Sequence, residues 1–197
     1  MQFSVQQVAG AHLPPVSFTL TSGDILTVRG ASGVGKSQLL RALADLSEHT
    51  GEITLDDVAQ SATPPDEWRR QVAYVPAESG WWADGVSAHF TVLPPADWLQ
   101  RLSLSPEMLN ATVERLSTGE RQRLALLRAL MMQPKVLLLD EPTANLDEAN
   151  THAMATLVAD YVQSQGAAAV WVTHDATARE QLGSHVLQMT AEGALFS

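Results

Sequence analysis

Residues 30–37 read Gly-Ala-Ser-Gly-Val-Gly-Lys-Ser, and no other stretch of this chain restricts its fold as much. The pattern G-x-x-x-x-G-K-S puts glycines where the backbone has to curl around an anion. Its N–H groups, with those of the helix that follows, then face phosphate oxygens. Lys36 supplies a point charge at the β- and γ-phosphates, and Ser37 offers a hydroxyl to Mg²⁺. The flanks agree. Apolar Ile25–Val28 precedes the loop as a strand, and Gln38–Asp45 follows as a helix, with Leu39, Leu40, Leu43 and Leu46 spaced for burial. Gly30, Ala31, Ser32, Gly33, Val34, Gly35, Lys36 and Ser37 are therefore candidate phosphate-binding residues.

The remainder of the chain alternates strands and helices, as a mainly parallel sheet covered by helices requires. Strands are expected at Phe3–Val8, Val16–Leu20, Gly51–Leu55, Val72–Val75, Val136–Asp140 and Ala168–Val172, with a closing hairpin at His185–Met189 and Ala194–Phe196. Pro14-Pro15 reads as a break. Helices are expected from Gly119 to Met132, over Glu148–Ser164 and, briefly, over Ala176–Leu182. From Pro76 to about Leu116 the texture changes, with four of the ten prolines and three of the five tryptophans. This stretch reads as a short helical insertion into a single domain spanning residues 1–197.

Val136-Leu-Leu-Leu-Asp140-Glu141-Pro142 is an apolar strand that ends in two acids. Such a strand carries Asp140 to the carboxyl edge of the sheet, where it can hold Mg²⁺ directly or through water. Glu141, one residue on, can accept a proton from an attacking water. His174 closes a later strand in Val172-Thr-His-Asp, at the edge that would face the γ-phosphate.

Composition excludes several other functions. The net charge of −10, from 12 basic and 22 acidic residues, provides no sequence-wide cationic field for a nucleic-acid backbone. Without cysteine there is no disulfide framework, thiolate metal site or cysteine nucleophile. Apolar runs such as Val136–Leu139 and Ala167–Val172 fall far short of the ~20 residues that cross a bilayer. Met1-Gln-Phe-Ser-Val-Gln-Gln lacks a cationic start and an apolar core, so no secretory signal is expected there. These features point to a cytoplasmic protein.

Leu116-Ser-Thr-Gly-Glu-Arg-Gln-Arg123 resembles the L-S-G-G-Q signature of ATP-binding cassette (ABC) proteins, and it lies between the phosphate loop and the acidic strand, in that family's order. Ala144-Asn-Leu-Asp147 is similar to the family's D-loop, and Thr173-His174-Asp175 to its switch loop. The resemblance extends from Phe3 to the C-terminal hairpin. It implies a P-loop NTPase fold of ABC type, with N-terminal antiparallel strands and a short helical subdomain over about 76–116. It implies an ATPase using ATP and Mg²⁺, catalysis by Glu141, His174 and Lys36, and metal contacts from Ser37 and Asp140. It also implies that Ser117, Gly119 and Asp147 contribute to nucleotide held between two copies of the chain. The implied partners are a second copy and a separate membrane permease, which would hold the protein at the inner face of the cell membrane. Neither nucleic acid nor insertion into the bilayer is expected. Relatives acting in DNA repair carry a long coiled coil and those acting in translation carry two cassettes, for which this chain has no room. A simple P-loop kinase would leave Leu116–Glu120 unexplained.

Residues Pro134–Glu141, Leu146–Asn150 and Val170–Asp175 most resemble the ATPase subunits of iron or metal exporters, with haem exporters the second candidate. Three departures stand out. Ala77 occupies the place of the family's Q-loop glutamine, with Glu78 beside it as the candidate replacement. No tyrosine occupies the N-terminal region, where the family usually stacks an aromatic on adenine, which leaves Phe3 and His12. The signature reads Thr118-Gly119-Glu120 rather than G-G-Q. Arg123 and Arg128 are expected on a solvated face of the signature helix. Trp81 and Trp82 fall where the family fold receives its permease, and adjacent residues cannot both point into one core, so at least one should face solvent or a partner.

Overall fold

The structure is a computed structural model that describes residues 1–173, 182, 185–190 and 192–197. Two sheets organise it. The N-terminal sheet is antiparallel, in the order β2-β1-β4-β5, from β1 (Gln2–Gly10), β2 (Leu13–Thr21), β4 (Thr50–Leu55) and β5 (Val58–Ala59). The second sheet has the order β10-β9-β3-β8-β7-β6, from β3 (Ile25–Arg29), β6 (Val72–Val75), β7 (Val136–Asp140), β8 (Ala168–Val172), β9 (His185–Met189) and β10 (Ala194–Phe196). All of its pairings are parallel except β9–β10.

The alternation of side chains along β6, β7 and β8 divides the interior in two. Ala73, Val75, Leu137, Leu139, Ala169 and Trp171 face the helices α4 (Thr118–Leu130) and α5 (Glu148–Gln165). Val72, Leu138, Val170 and Val172 face the helix α1 (Lys36–Leu43) and the N-terminal sheet. Every residue of β7 and β8 is buried, as expected of parallel strands covered on both sides. The helix α2 (Pro65–Gln71) feeds β6 and anchors Trp68, whose indole N–H donates to Leu43 O at 2.9 Å.

Pro14-Pro15 does not break the chain. β2 runs through both prolines, which is possible because β2 is an edge strand whose outer positions need no N–H. The stretch after β6 is less helical than its sequence suggests. It contains one short helix, α3 (Ala96–Arg101), and 3₁₀ turns at Val86–His89, Pro106–Asn110 and Val113–Arg115. Closely placed prolines and glycines leave no run long enough for more. The expected helix over Ala176–Leu182 falls almost wholly outside the described residues. No helix among the described residues is long and apolar enough to cross a membrane.

Candidate functional site

The site lies at the carboxyl ends of the parallel strands, where β3 delivers the glycine loop and β7 delivers the acids. The loop depends on its glycines. Gly35 has φ +101°, and a Cβ there would stand 2.3 Å from the His12 carbonyl oxygen. Gly30 is similarly confined, since its Cβ would meet Met189 O at 2.5 Å. Ala31, Ser32 and Gly33 are exposed at the loop's crest, and Val34 is half-buried against the core.

Lys36, at the start of α1, is buried, and its ammonium donates to Gly30 O and Ala31 O, both at 3.0 Å. The loop's own carbonyls thus hold the charge inside the curl of backbone. Ser37 Oγ donates to Asp140 Oδ1 at 3.1 Å, across 103 residues of sequence. Only 5% of Asp140 is exposed, and its second oxygen accepts from the Tyr74 hydroxyl at 3.0 Å. Burial first, and then the neighbouring Asp140, raises the Tyr74 pKa above its ordinary value, so the phenol stays a proton donor.

Glu141 follows at φ +46°, a left-handed conformation that a non-glycine residue adopts only when its surroundings enforce it. Here its N–H is tied to Val172 O at 3.0 Å, which turns the chain sharply off β7 and leaves the side chain half-exposed at the mouth of the site. Thr173 is buried, whereas His174 lies outside the described residues. Ser37 and Asp140 present hard oxygen donors side by side, the set that suits Mg²⁺. No cluster of three or more His, Asp or Glu side chains that could cage a metal occurs among the described residues. A metal here would therefore need phosphate oxygens and water to complete its coordination.

The signature segment forms the N-terminus of α4. Ser117 is its N-cap, and a capping box joins Ser117 to Glu120. Ser117 N–H and Oγ donate to Glu120 Oε2 at 2.7 and 2.8 Å, and Glu120 N–H donates to Ser117 Oγ. The backbone hydrogen bond from Ser117, foremost, holds the Glu120 carboxyl below the usual range. Gly119 lies against the D-loop segment, where an added Cβ would come 3.1 Å from Leu146 Cδ2. Asp147 is exposed and caps α5, accepting from Asn150 N–H at 2.8 Å. Ser117 and Asp147 are both exposed and do not touch Lys36, Ser37 or Asp140.

Several expectations need correction. Phe3 is fully buried against Phe18 and Trp68, so it cannot stack on a base. His12 is exposed at the β1–β2 turn, beside a cavity of about 180 Å³ that it lines together with Gln38 of α1. Arg123 and Arg128 are not on a solvated face. Arg123 is 8% exposed, and Arg128 stacks over Trp81 and Trp82 at 5.0 and 4.8 Å from their ring centres. Helical periodicity placed these cations correctly on α4, but it carried no information about the tryptophans that fold over them. Tyr74 and His89 were missed as well. Tyr74 sits on the strand that leads into the expected Q-loop, and the alternation of β6 was the available signal.

A model of the ABC transporter family matches residues 13–144. The chain is 36% identical over 173 residues to the probable iron export ATP-binding protein FetA of Escherichia coli K12, covering 81% of this chain and 76% of that protein. It is 36% identical over 187 residues to the putrescine transport ATP-binding protein PotG of the same organism, covering 84% of this chain and 48% of that one. This chain thus spans three quarters of the first relative and about half of the second. The fold matches that of a dimeric ATP-binding cassette solved in a post-hydrolysis state with ADP and Pi, with a TM-score of 0.84 at 21% identity, over 99% of this chain and 97% of that one. The chain belongs to the ABC transporter family, as an ATP-binding ATPase subunit.

Proposed function

We propose that residues 1–197 form one ATP-binding domain, with 76–116 as its reduced helical subdomain, that hydrolyses ATP as a homodimer beneath a separate membrane permease. The observation that carries this reading is the meeting of Ser37 with Asp140 beside the Lys36 ammonium, at the carboxyl end of the sheet. Gly30, Ala31, Ser32, Gly33, Val34 and Gly35 present backbone N–H groups to the phosphates. Lys36 exchanges its two loop carbonyls for β- and γ-phosphate oxygens. Ser37 and Asp140 hold Mg²⁺, which when bound neutralises charge on the phosphate oxygens. Glu141, held at the mouth of the site by its bond to Val172, takes the proton of the attacking water. His174 is assigned to the γ-phosphate on sequence grounds. Ser117 and Asp147 are exposed on the same molecule and Gly119 is half-buried between them, which leaves this face open to the partner copy's nucleotide.

The permease would dock on a groove of about 350 Å³ along the free edge of β6, walled by Leu46, Trp82, Phe90 and Met132. Through it the protein would lie at the inner face of the cell membrane. Relatives at similar identity are named for both export and import, so the cargo rests on the FetA likeness, which favours iron or another metal ion leaving the cell. The test is phosphate release from ATP by the purified protein, together with co-purification of the permease encoded beside it. Absence of turnover both alone and with that permease would overturn the reading. For the cargo, ATPase stimulation by iron in the reconstituted complex is expected, and stimulation by another solute would reassign it.

A further inference from the structure

Asp140 is buried, and a buried carboxylate is held in place by its hydrogen bonds. Ser37 engages Oδ1 and Tyr74 engages Oδ2. The sheet register explains how Tyr74 reaches it. Tyr74 pairs with Leu138, and Asp140 is two residues farther along the same strand, hence on the same face. Tyr74 also lines the groove along β6, together with Ala44, Leu46, Trp82 and Phe90. One residue therefore both holds the metal carboxylate and lines the groove. Ala77, in place of the family's glutamine, has no side chain that could do this. Glu78, next along, is exposed and makes no hydrogen bond or ion pair among the described residues.

We propose that Tyr74 is the positioning residue of Asp140 and that, because the same residue also lines the groove, it transmits groove occupancy to the metal carboxylate and metal binding to the groove. This rests on the assignment of Asp140 to Mg²⁺ made above. The two effects are reciprocal, since a coupling between two bound species acts equally on each.

Tyr74→Phe removes only the hydroxyl and keeps the ring. Mn²⁺ titration in the presence of ATP, read by electron paramagnetic resonance, should show metal affinity about 10-fold weaker than wild type. That is the loss expected for one hydrogen bond to a charged group. ATP affinity without metal should be unchanged, a split that a general loss of stability would not produce. The link to the groove is read separately. The chain has no cysteine, so Met132→Cys takes a single nitroxide label on the groove wall. Addition of Mg²⁺ and ATP should change the label's mobility in the otherwise native chain and not in Tyr74→Phe. Equal metal affinity in Tyr74→Phe overturns the positioning role. A label that responds equally in both backgrounds, or in neither, overturns the link. Asp140→Asn serves as the control, because unchanged metal affinity in that variant would instead refute the assignment of Asp140 to the metal.

Discussion

The nucleotide face and the β6 groove share one strand but are held in different ways. At the nucleotide face, backbone conformation and hydrogen bonds fix each group. Gly35 and Gly30 sit where a Cβ would collide with backbone, Glu141 is pinned at positive φ, and both oxygens of Asp140 are engaged. One wall of the groove is built instead from Trp82, His89, Phe90 and Arg128, with Trp81 packed behind them. Trp81 and Trp82 both meet His89 edge-on, at 4.7 and 4.5 Å between ring centres, and Arg128 covers both tryptophans while donating to Gly80 O at 3.0 Å. The first kind of construction suits a ligand that is always the same, whereas the second can vary with the partner while leaving the fold intact. Substitutions at the nucleotide face should therefore change chemistry without changing stability, and those in the groove should do the opposite or act only on binding.

The largest effect is expected at Glu141. Glu141→Gln should lower turnover by about 10²- to 10⁴-fold, the usual contribution of a general base, and leave Mg·ATP binding intact so that an ATP-bound dimer accumulates. Phosphate release and size-exclusion chromatography check the two halves. Near-native turnover would remove Glu141 from the chemistry. Lys36→Ala comes next. Losing a charge in direct contact with phosphate should weaken ATP binding by about 10- to 100-fold, measured by calorimetry, with thermal stability little changed. Unimpaired affinity would break the assignment of the loop.

How legible each region was in the sequence follows the same division. Lys36, Ser37, Asp140 and Glu141 were readable because fixed spacing and strand–loop–helix context carry the geometry. The groove was only partly readable. Adjacent tryptophans announced that one would be exposed, and Trp82 is, at 71%. Nothing in the spacing of α4 showed that Arg128 would leave solvent to stack on rings some 46 residues earlier in the chain, because such contacts are set by tertiary packing. The prolines of β2 misled for a similar reason, since only the sheet order shows that this strand is an edge.

Within the groove, His89 should matter to folding. It is buried, and its Nε2 accepts from the backbone N–H groups of Trp82 and Ala83 at 3.0 and 3.1 Å, which assigns the proton to Nδ1, facing Gly85 O. His89→Ala leaves two N–H groups without an acceptor and removes the ring between the tryptophans. A loss of about 1–3 kcal/mol in chemical denaturation is expected, with ATP affinity unchanged. A stability equal to wild type would mean that the loop does not depend on this contact, and the contrast between the two regions would weaken.

The smallest effect on stability is expected beside it, at Trp82. Most of the side chain is already in water, so Trp82→Ala forfeits little burial, and a change within about 0.5 kcal/mol is expected for an exposed site. Its partner contacts are another matter. An exposed tryptophan beside Phe90, Leu46 and Met132 makes an apolar surface with a cation, Arg128, already seated on its ring. Tryptophan so placed often dominates an interface, and truncating it costs 2 kcal/mol or more of binding, about 30-fold in affinity. Thermal melts, ATP binding and co-purification with the permease should be measured on the same preparation. Lost co-purification with an unchanged melt and unchanged ATP binding would assign Trp82 to docking. Retained co-purification would exclude it as an anchor, and a large fall in melting temperature would show that it supports the fold instead.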